Sequence, residues 1–296
     1  MASGEYEKDV EAVLARRHDN GGDFWASQDG RLGKGGPFST LESLLILSEL
    51  RVAKSHEAVR GAAGLLLGAC REDGRFRVAP KGTMYPCHSA IAAAVLCRFG
   101  YAKDPRVERM LAYLLDNRHE DGGWRCKKFS GGRGPETEFS NPGVTLFALD
   151  AFRFTEQKGA LDGAVETLLD HWTVRKPTGP CHFGIGTLFM QVEYPFLRYN
   201  LFYYLYVLSF YEPARLDGRF REALQALQSK LDDRGQVVVE RPNRKLAKFS
   251  MCRKGEPSLL ATQRYREIVE NWASEREASR KAAKASIQQD SNIFLF

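Results

Sequence analysis

The chain has 296 residues, of which 43% are hydrophobic and 27% charged, and it carries a formal net charge of +6. This is an ordinary globular composition, long enough for one large domain or two modest ones. No run reaches the roughly 18 apolar residues of a membrane span, and the basic residues form neither an arm nor a stripe, which argues against nucleic acid.

The chain opens on Met-Ala-Ser-Gly and charged residues with no apolar signal core, and its six Cys are widely spread. The expectation is reduced thiols in a cytoplasmic protein. Asn20-Gly21-Gly22-Asp23-Phe24-Trp25 is the first glycine-aromatic turn. Gly33-Lys34-Gly35-Gly36 lacks the spacing and the preceding strand of a phosphate-binding loop. Ser39-Thr40-Leu41-Glu42 matches a capping box and starts a helix over 39–50, so Glu42 reads as structural. Asp73-Gly74-Arg75-Phe76 repeats the turn, and Tyr85-Pro86-Cys87-His88 opens an apolar helix over 85–101. Asp104-Pro105 is an N-cap followed by a first-turn proline. Behind it Val107, Met110, Leu111, Leu114 and Leu115 form a one-sided stripe.

Asp121-Gly122-Gly123-Trp124 is the third turn, followed by a loop over 125–140. Asn141-Pro142 then caps a buried helix over 141–154. Leu161, Ala164, Val165, Leu168, Leu169 and Trp172 make the next stripe, and a loop over 174–193 contains Gly179-Pro180-Cys181-His182. An almost wholly apolar helix is expected over 194–211. Phe220, Leu224, Leu227 and Leu231 form the last stripe, with Asp233-Arg234-Gly235-Gln236-Val237 as a weaker turn. Val237 to Glu240 suits a short strand, 238–256 a loop, and 257–272 a final buried helix. Residues 273–296 read as a charged extension ending in Ile293-Phe294-Leu295-Phe296.

The turns recur at roughly 50 residues, the spacing of a two-helix repeat. One-sided helices alternate with helices apolar on all sides, so an outer ring around an inner ring is the simplest closure. About five hairpins over residues 1–272 predict an all-α, α/α toroid around a central cavity.

Asp121-Gly122-Gly123-Trp124, with Leu114-Leu115 before it, resembles the prenyltransferase and squalene oxidase repeat of the terpenoid-cyclase and protein-prenyltransferase superfamily. Arg118 stands where that repeat has Gln. At the level of repeat architecture the resemblance covers residues 5–272, and the whole chain resembles bacterial proteins described as prenyltransferase-like. It implies a toroid whose cavity handles isoprenoid chains. Two departures limit what it implies about chemistry. The Asp-x-Asp-Asp motif of squalene-hopene-type cyclases is absent, since Leu231-Asp232-Asp233-Arg234 sits at an outer-helix end. The zinc motifs of protein prenyltransferase β-subunits, which pair with a helical crescent partner, do not map onto this chain.

In a toroid the inner-helix N-termini line the cavity mouth, where free N–H groups and partial positive charge favour anions. The acid–base candidates there are His88, Glu138, Glu193, Arg198 and Glu256. Tyr85, Tyr194, Phe196, Tyr199, Asn200 and Tyr203 are candidates for ligand binding, because aromatic faces stabilise carbocations. Cys87, Cys126, Cys181 and His182 are zinc-type ligands, though no CxxC is present. Plainer readings stand beside these: core aromatics, a structural Glu193–Arg198 pair, a histidine satisfied by hydrogen bonds at a helix start, inert buried thiols. Three functions compete on this basis: an enzyme of isoprenoid chemistry by cyclisation or prenyl transfer, a non-catalytic toroid holding a lipid or peptide, and a zinc-dependent enzyme with a Cys/His site.

Overall fold

Two kinds of helix alternate along the chain because two kinds of hydrophobic pattern do. The computed structural model of the protein describes residues 4–126, 138–178 and 183–274. Its helices are α1 (Glu7–Leu14), α2 (Thr40–Glu49), α3 (Glu57–Gly68), α4 (Pro86–Arg98), α5 (Pro105–Asp116), α6 (Pro142–Phe152), α7 (Asp162–Val174), α8 (Thr187–Met190), α9 (Leu201–Leu208), α10 (Glu212–Leu216), α11 (Gly218–Gln228) and α12 (259–274). Helix α5 buries Val107, Met110, Leu111 and Leu114 and exposes its other face, as a one-sided stripe requires. By contrast every residue of α9, and every residue of α6 except Phe147, is buried.

Helices α2, α4, α6, α9 and α12 form the inner ring. Helix α2 packs on α4, α4 on α6 and α6 on α9, while α3, α5, α7 and α11 back them from outside. Helix α12 closes the circle. Its Asn271 Nδ2 donates to Ser209 Oγ beyond α9 at 3.1 Å, and its Arg264 Nε donates to Glu49 Oε2 of α2 at 2.8 Å. Asp9 of α1 accepts the backbone N–H groups of Ser250 and Met251, both at 2.9 Å, so the first and last repeats also meet outside the ring. Over the described residues the chain is an all-α toroid of five hairpins.

The glycine-aromatic turns hold the two rings together by one repeated device. The Trp124 side chain folds back so that its Nε1 donates to Leu114 O of α5 at 2.7 Å, and Trp25 Nε1 does the same to Val13 O of α1 at 3.0 Å. Both side chains are fully buried. The backbone N–H at the buried turn position then donates to a hydroxyl one turn into the next inner helix. Phe76 reaches Ser89 Oγ at 3.1 Å, Trp124 reaches Thr145 Oγ1 at 3.1 Å, and Val237 reaches Thr262 Oγ1 at 3.0 Å. Gly122 has φ +91°, and a Cβ there would lie 2.5 Å from the backbone of Gly163 in α7. A side chain there would have neither the conformation nor the room.

Two local expectations are corrected. The helix expected over 194–211 begins only at Leu201, because Asn200 Oδ1 accepts the Tyr203 N–H at 3.0 Å and caps it there, and Pro195 has no N–H to offer. Val237 to Glu240 forms no strand: Val237 and Val238 make isolated bridges to Leu231 and Pro257. Helix α12 runs through 274, and the rest of the extension, 275–296, lies outside the described residues.

A buried charge network stitches the ring near the C-terminal ends of the inner helices. Arg98 of α4 pairs with Glu49 of α2, and its Nη2 lies 2.8 Å from Asp150 Oδ2 of α6. Arg153 Nε completes Asp150 at 2.7 Å. Tyr194 and Tyr203 donate their hydroxyls to Glu49 Oε2 at 2.8 Å and Asp150 Oδ2 at 2.9 Å. Burial opposes ionisation of Glu49 and Asp150, but the guanidinium groups outweigh it and hold both carboxyls below their ordinary values. The network fills this end of the ring, and the inner-helix N-termini border a cavity.

Candidate functional site

The cavity has two lobes, of about 590 and 620 Å³, which share His88, Ile91, Phe147 and Leu197. Helical register explains the lining. The sixth residue of α2, α4 and α6 is Leu45, Ile91 and Phe147 respectively, and all three face the first lobe. The third residue of the same helices is Glu42, His88 and Val144, and each lines at least one lobe. Residues three apart in a helix share a face, so α2 and α4 each present a polar-to-apolar pair to the cavity and α6 an all-apolar one.

The first lobe sets charged groups among apolar ones. Arg31, Lys34, Ser39 and Glu42 line it. Ser39 caps α2 by accepting the Glu42 N–H at 3.3 Å, and its hydroxyl donates to Glu42 Oε2 at 3.0 Å. Burial pushes the Glu42 carboxyl above its ordinary value. The Ser39 hydrogen bond and the charges of Arg198 and Lys245 pull the other way without overcoming it. Glu42 is therefore both the predicted capping residue and a half-buried acid on the cavity wall.

The second lobe is apolar and aromatic, with Val144, Phe147, Phe183, Leu188, Phe189 and Tyr199 on its wall and Cys87, Cys126, Arg198 and Arg241 around them. The Tyr199 hydroxyl is 2.8 Å from His171 Nδ1, and His171 Nε2 is 3.1 Å from Lys176 O. The carbonyl can only accept, so Nε2 carries the proton and Nδ1 accepts from Tyr199. Burial lowers the His171 pKa, which keeps this imidazole neutral at pH 7. Phe189 and Tyr199 pack with 4.9 Å between ring centroids.

Of the residues expected from sequence, His88, Arg198, Tyr199, Cys87 and Cys126 line this cavity. Arg198 and Glu193 lie 3.8 Å apart, the plainer of their two readings, and Glu193 is 2% exposed and stands behind the lining, where Arg241 Nη2 holds it at 2.7 Å. Glu138 is displaced from the site: it is exposed and pairs with Arg125 at 2.8 Å. Glu256 is likewise exposed and lies 3.6 Å from Arg253. Because 194–200 is irregular rather than helical, its side chains divide. Leu197, Arg198 and Tyr199 reach the cavity. Tyr194 and Phe196 turn inward, where Phe196 stacks on Tyr203 at 5.0 Å. Tyr194 and Tyr203 serve the charge network, Asn200 serves as a cap, and Tyr85 packs edge-on against His88 at 5.5 Å without lining either lobe.

Sequence reading missed Glu42, Arg241, Ile91, Phe147 and Leu197. Equal spacing from the start of each inner helix was the signal for Glu42, Ile91 and Phe147. Arg241 arrives from a loop and had none.

Cys181 and His182 lie outside the described residues, and among the described residues no three His, Cys, Asp or Glu side chains converge on a metal-sized gap. Cys87 and Cys126 supply two thiols to one lobe, which is only part of a zinc ligand set. Burial pushes the Cys97 and Cys252 thiols up to about 12, so neither is a nucleophile near neutral pH.

No known family model matches the chain, and no curated protein does. Among solved structures, the chain is similar to type II terpene cyclase MstE from Scytonema in its apo form, at 15% identity over 91% of this chain and 74% of that one, with a TM-score of 0.46. It is similar to a variant of that cyclase in complex with geranylgeranyl dihydroxybenzoate, at 14% identity over 92% and 98%, with a TM-score of 0.36. It is also similar to a protein from Actinoplanes, at 17% identity over 89% and 82%, with a TM-score of 0.46.

Proposed function

We propose that the chain is an enzyme that binds an elongated apolar ligand of the isoprenoid class in the two-lobed cavity and acts on it by acid–base chemistry. The observation that carries this is the placement of Glu42 and His88 at the same helical register on adjacent inner helices, on one wall of a cavity whose other lobe is aromatic. A carboxyl raised by burial stays protonated at higher pH than a free one and is poised to give a proton. Glu42 is the acid. His88, at the junction of the lobes, is the base that takes a proton from the reacting chain. Positive charge developing beside His88 would lie against the face of Phe147, and charge carried on into the second lobe against Phe183 and Phe189, since aromatic faces attract cations. The cations Arg31 and Lys34 at one lobe, and Arg198 and Arg241 at the other, suit a ligand with an anionic head.

The test is incubation with C15 and C20 polyprenyl alcohols and diphosphates, with products read by gas chromatography–mass spectrometry and binding read separately by calorimetry. Wild type is expected to bind and convert one of them, and Glu42→Gln to bind it and lose turnover by about 100-fold or more. Binding without turnover in wild type would favour the non-catalytic toroid. No binding would overturn the proposal. The zinc-dependent alternative rests on Cys87 and Cys126 sharing one lobe. It requires stoichiometric zinc by elemental mass spectrometry that is lost in Cys87→Ala.

A further inference from the structure

Among the described residues the second lobe is lined by two arginines, Arg198 and Arg241, and by no carboxylate. Both guanidinium groups converge on one acid behind the wall. Arg241 Nη2 donates to Glu193 Oε2 at 2.7 Å, and Arg198 Nε lies 3.8 Å from Glu193 Oε1. A carboxylate as buried as Glu193 is costly unless its oxygens are hydrogen-bonded, yet among the described residues Oε1 accepts no hydrogen bond. Arg198 is near enough to offset the charge and too far to bond to it. The contact therefore uses none of the five N–H donors of Arg198, whose side chain is more than half exposed.

The two arginines come from segments that are locked together. The N–H groups of Glu240 and Arg241 both donate to Val192 O, at 3.0 and 3.1 Å, and Val192 N donates to Glu240 Oε2 at 2.7 Å. On the other side Asn200 Nδ2 donates to Arg198 O at 3.0 Å. The backbone around both cations is thus fixed before a ligand arrives, and a preorganised site loses less affinity to ordering.

Two guanidinium groups less one carboxylate leave a single positive charge beside the lobe. That charge matches a carboxylate better than a diphosphate, which carries more than one negative charge, and a planar guanidinium fork fits a carboxylate with two parallel hydrogen bonds. The first lobe offers no equivalent. Its Arg31 is already tied to Asp29 at 2.7 Å, with both side chains about half exposed, and Lys34 stands in solvent.

We propose that Arg198 and Arg241 clamp the carboxylate head of a long-chain apolar carboxylic acid, with Glu193 as the positioning residue that holds the two guanidinium groups together and trims their charge. This rests on the reading of the cavity as an isoprenoid site and names the class of head group. The chain of the acid would lie against Val144, Phe147 and Phe189 of the same lobe.

Calorimetry on the full chain near pH 7 tests it, with three C20 polyprenyl probes that differ only in the head: a carboxylic acid, an alcohol and a diphosphate. Wild type is expected to bind the acid at least about tenfold more tightly than the alcohol, and more tightly than the diphosphate. In Arg198→Gln, which alters a half-exposed side chain, the preference for acid over alcohol should fall to about twofold or less. Glu193→Gln keeps an acceptor for Arg241 and removes the negative charge, so the preference should move toward the diphosphate by about fivefold or more. Equal weakening of all three probes in Glu193→Gln would mean that Glu193 only supports the fold, and would overturn its positioning role. An alcohol bound as tightly as the acid in wild type, or a diphosphate bound more tightly, would overturn the clamp while leaving the cavity an isoprenoid site. Binding of none of the three would overturn both. If Glu193→Gln fails to fold, Arg198→Gln decides, and an unchanged preference there would overturn the proposal.

Discussion

Arg264 Nε lies 2.8 Å from Glu49 Oε2, joining two inner helices 215 residues apart in sequence. The same Glu49 carboxylate also takes Arg98 and the Tyr194 hydroxyl, so three cationic or hydroxyl donors from different repeats converge on one acid. Glu49 is 1% exposed. Removing one partner of a buried pair leaves charge without compensation, which costs about 3–5 kcal/mol. Arg98 and the Tyr194 hydroxyl still hold Glu49 in Arg264→Met, so that variant is expected to lose less, about 1.5–3 kcal/mol in chemical denaturation, still a large share of a total near 5–15 kcal/mol. An exposed pair is the control. Arg16→Met breaks the Arg16–Asp19 contact, where both side chains are about half exposed, and is expected to change stability by less than about 1 kcal/mol.

The network also sets the acid limit of the fold. The folded-state pKa values of Glu49 and Asp150 lie below their unfolded values, because nearby guanidinium groups outweigh burial. Groups of this sign contribute stability that is present above the unfolded pKa, about 4, and lost as pH falls through the folded values. Denaturation midpoints should thus hold steady from pH 7 to about 5 and collapse below about 4. In Asp150→Asn the midpoint should start lower at pH 7 and fall less steeply toward pH 3. An equal slope in wild type and variant would remove Asp150 from the cause.

Much of the fold is legible in the sequence because it rests on patterns that local physics imposes. The stripe Val107, Met110, Leu111, Leu114 can only be one face of a helix, and the Asp121-Gly122-Gly123-Trp124 turn advertises its own backbone. The site is less legible. Glu42 has two roles, and the capping box explains it so fully that the cavity role is invisible in one dimension. Glu138 and Glu256 point to the mouth because they precede inner helices, but sequence proximity to a helix start does not say which way a side chain leaves it. Tyr194 and Tyr203 suggest ligand contacts by residue type, yet their hydroxyls belong to carboxylates on α2 and α6, 145 and 53 residues away. No local pattern encodes partners at that distance.

Glu42 should show a trade between stability and function. Its folded-state pKa is raised, chiefly by burial. A carboxyl of this sign contributes stability below its unfolded pKa and loses it as pH rises. Glu42→Gln keeps an acceptor for the Ser39 hydroxyl and removes the charge. The variant is expected to be more stable than wild type at pH 7, with the difference vanishing below about pH 4, while turnover falls by about 100-fold or more. Denaturant titrations at pH 7 and pH 4 check the stability difference. A variant less stable than wild type at pH 7 would mean that the ionised carboxylate is the form the fold prefers.

The turn glycines separate conformational from steric demand. Gly235 has φ +71° with open space where a Cβ would stand, whereas Gly122 has φ +91° and the backbone of Gly163 at 2.5 Å. Gly235→Ala meets only the left-handed penalty, about 1–2 kcal/mol. Gly122→Ala meets that penalty and must also push α7 away from the turn, so it should cost clearly more and also weaken the hydrogen bond from Thr167 Oγ1 to Asp121 O, now 2.6 Å. Equal losses in the two variants would show that α7 can move away freely.

Phe147 is the residue that should report on ligand binding most directly. It lines both lobes, is half-buried, and packs edge-on against Tyr203 at 5.5 Å, so its ring is held in place from behind and bare in front. Phe147→Ala removes an apolar surface worth about 1.5–3 kcal/mol to a ligand spanning the lobes, or roughly 10- to 150-fold in affinity. The same truncation opens space beside Tyr203 and should cost stability as well, so affinity must be compared with Phe147→Leu, which keeps most of the apolar volume. If Phe147→Leu binds a C20 polyprenyl probe nearly as well as wild type while Phe147→Ala does not, the ligand runs between the lobes past this side chain. If both bind equally, the ligand does not run past Phe147 from one lobe to the other, and Glu42 and Phe183, on opposite lobes, do not both touch it.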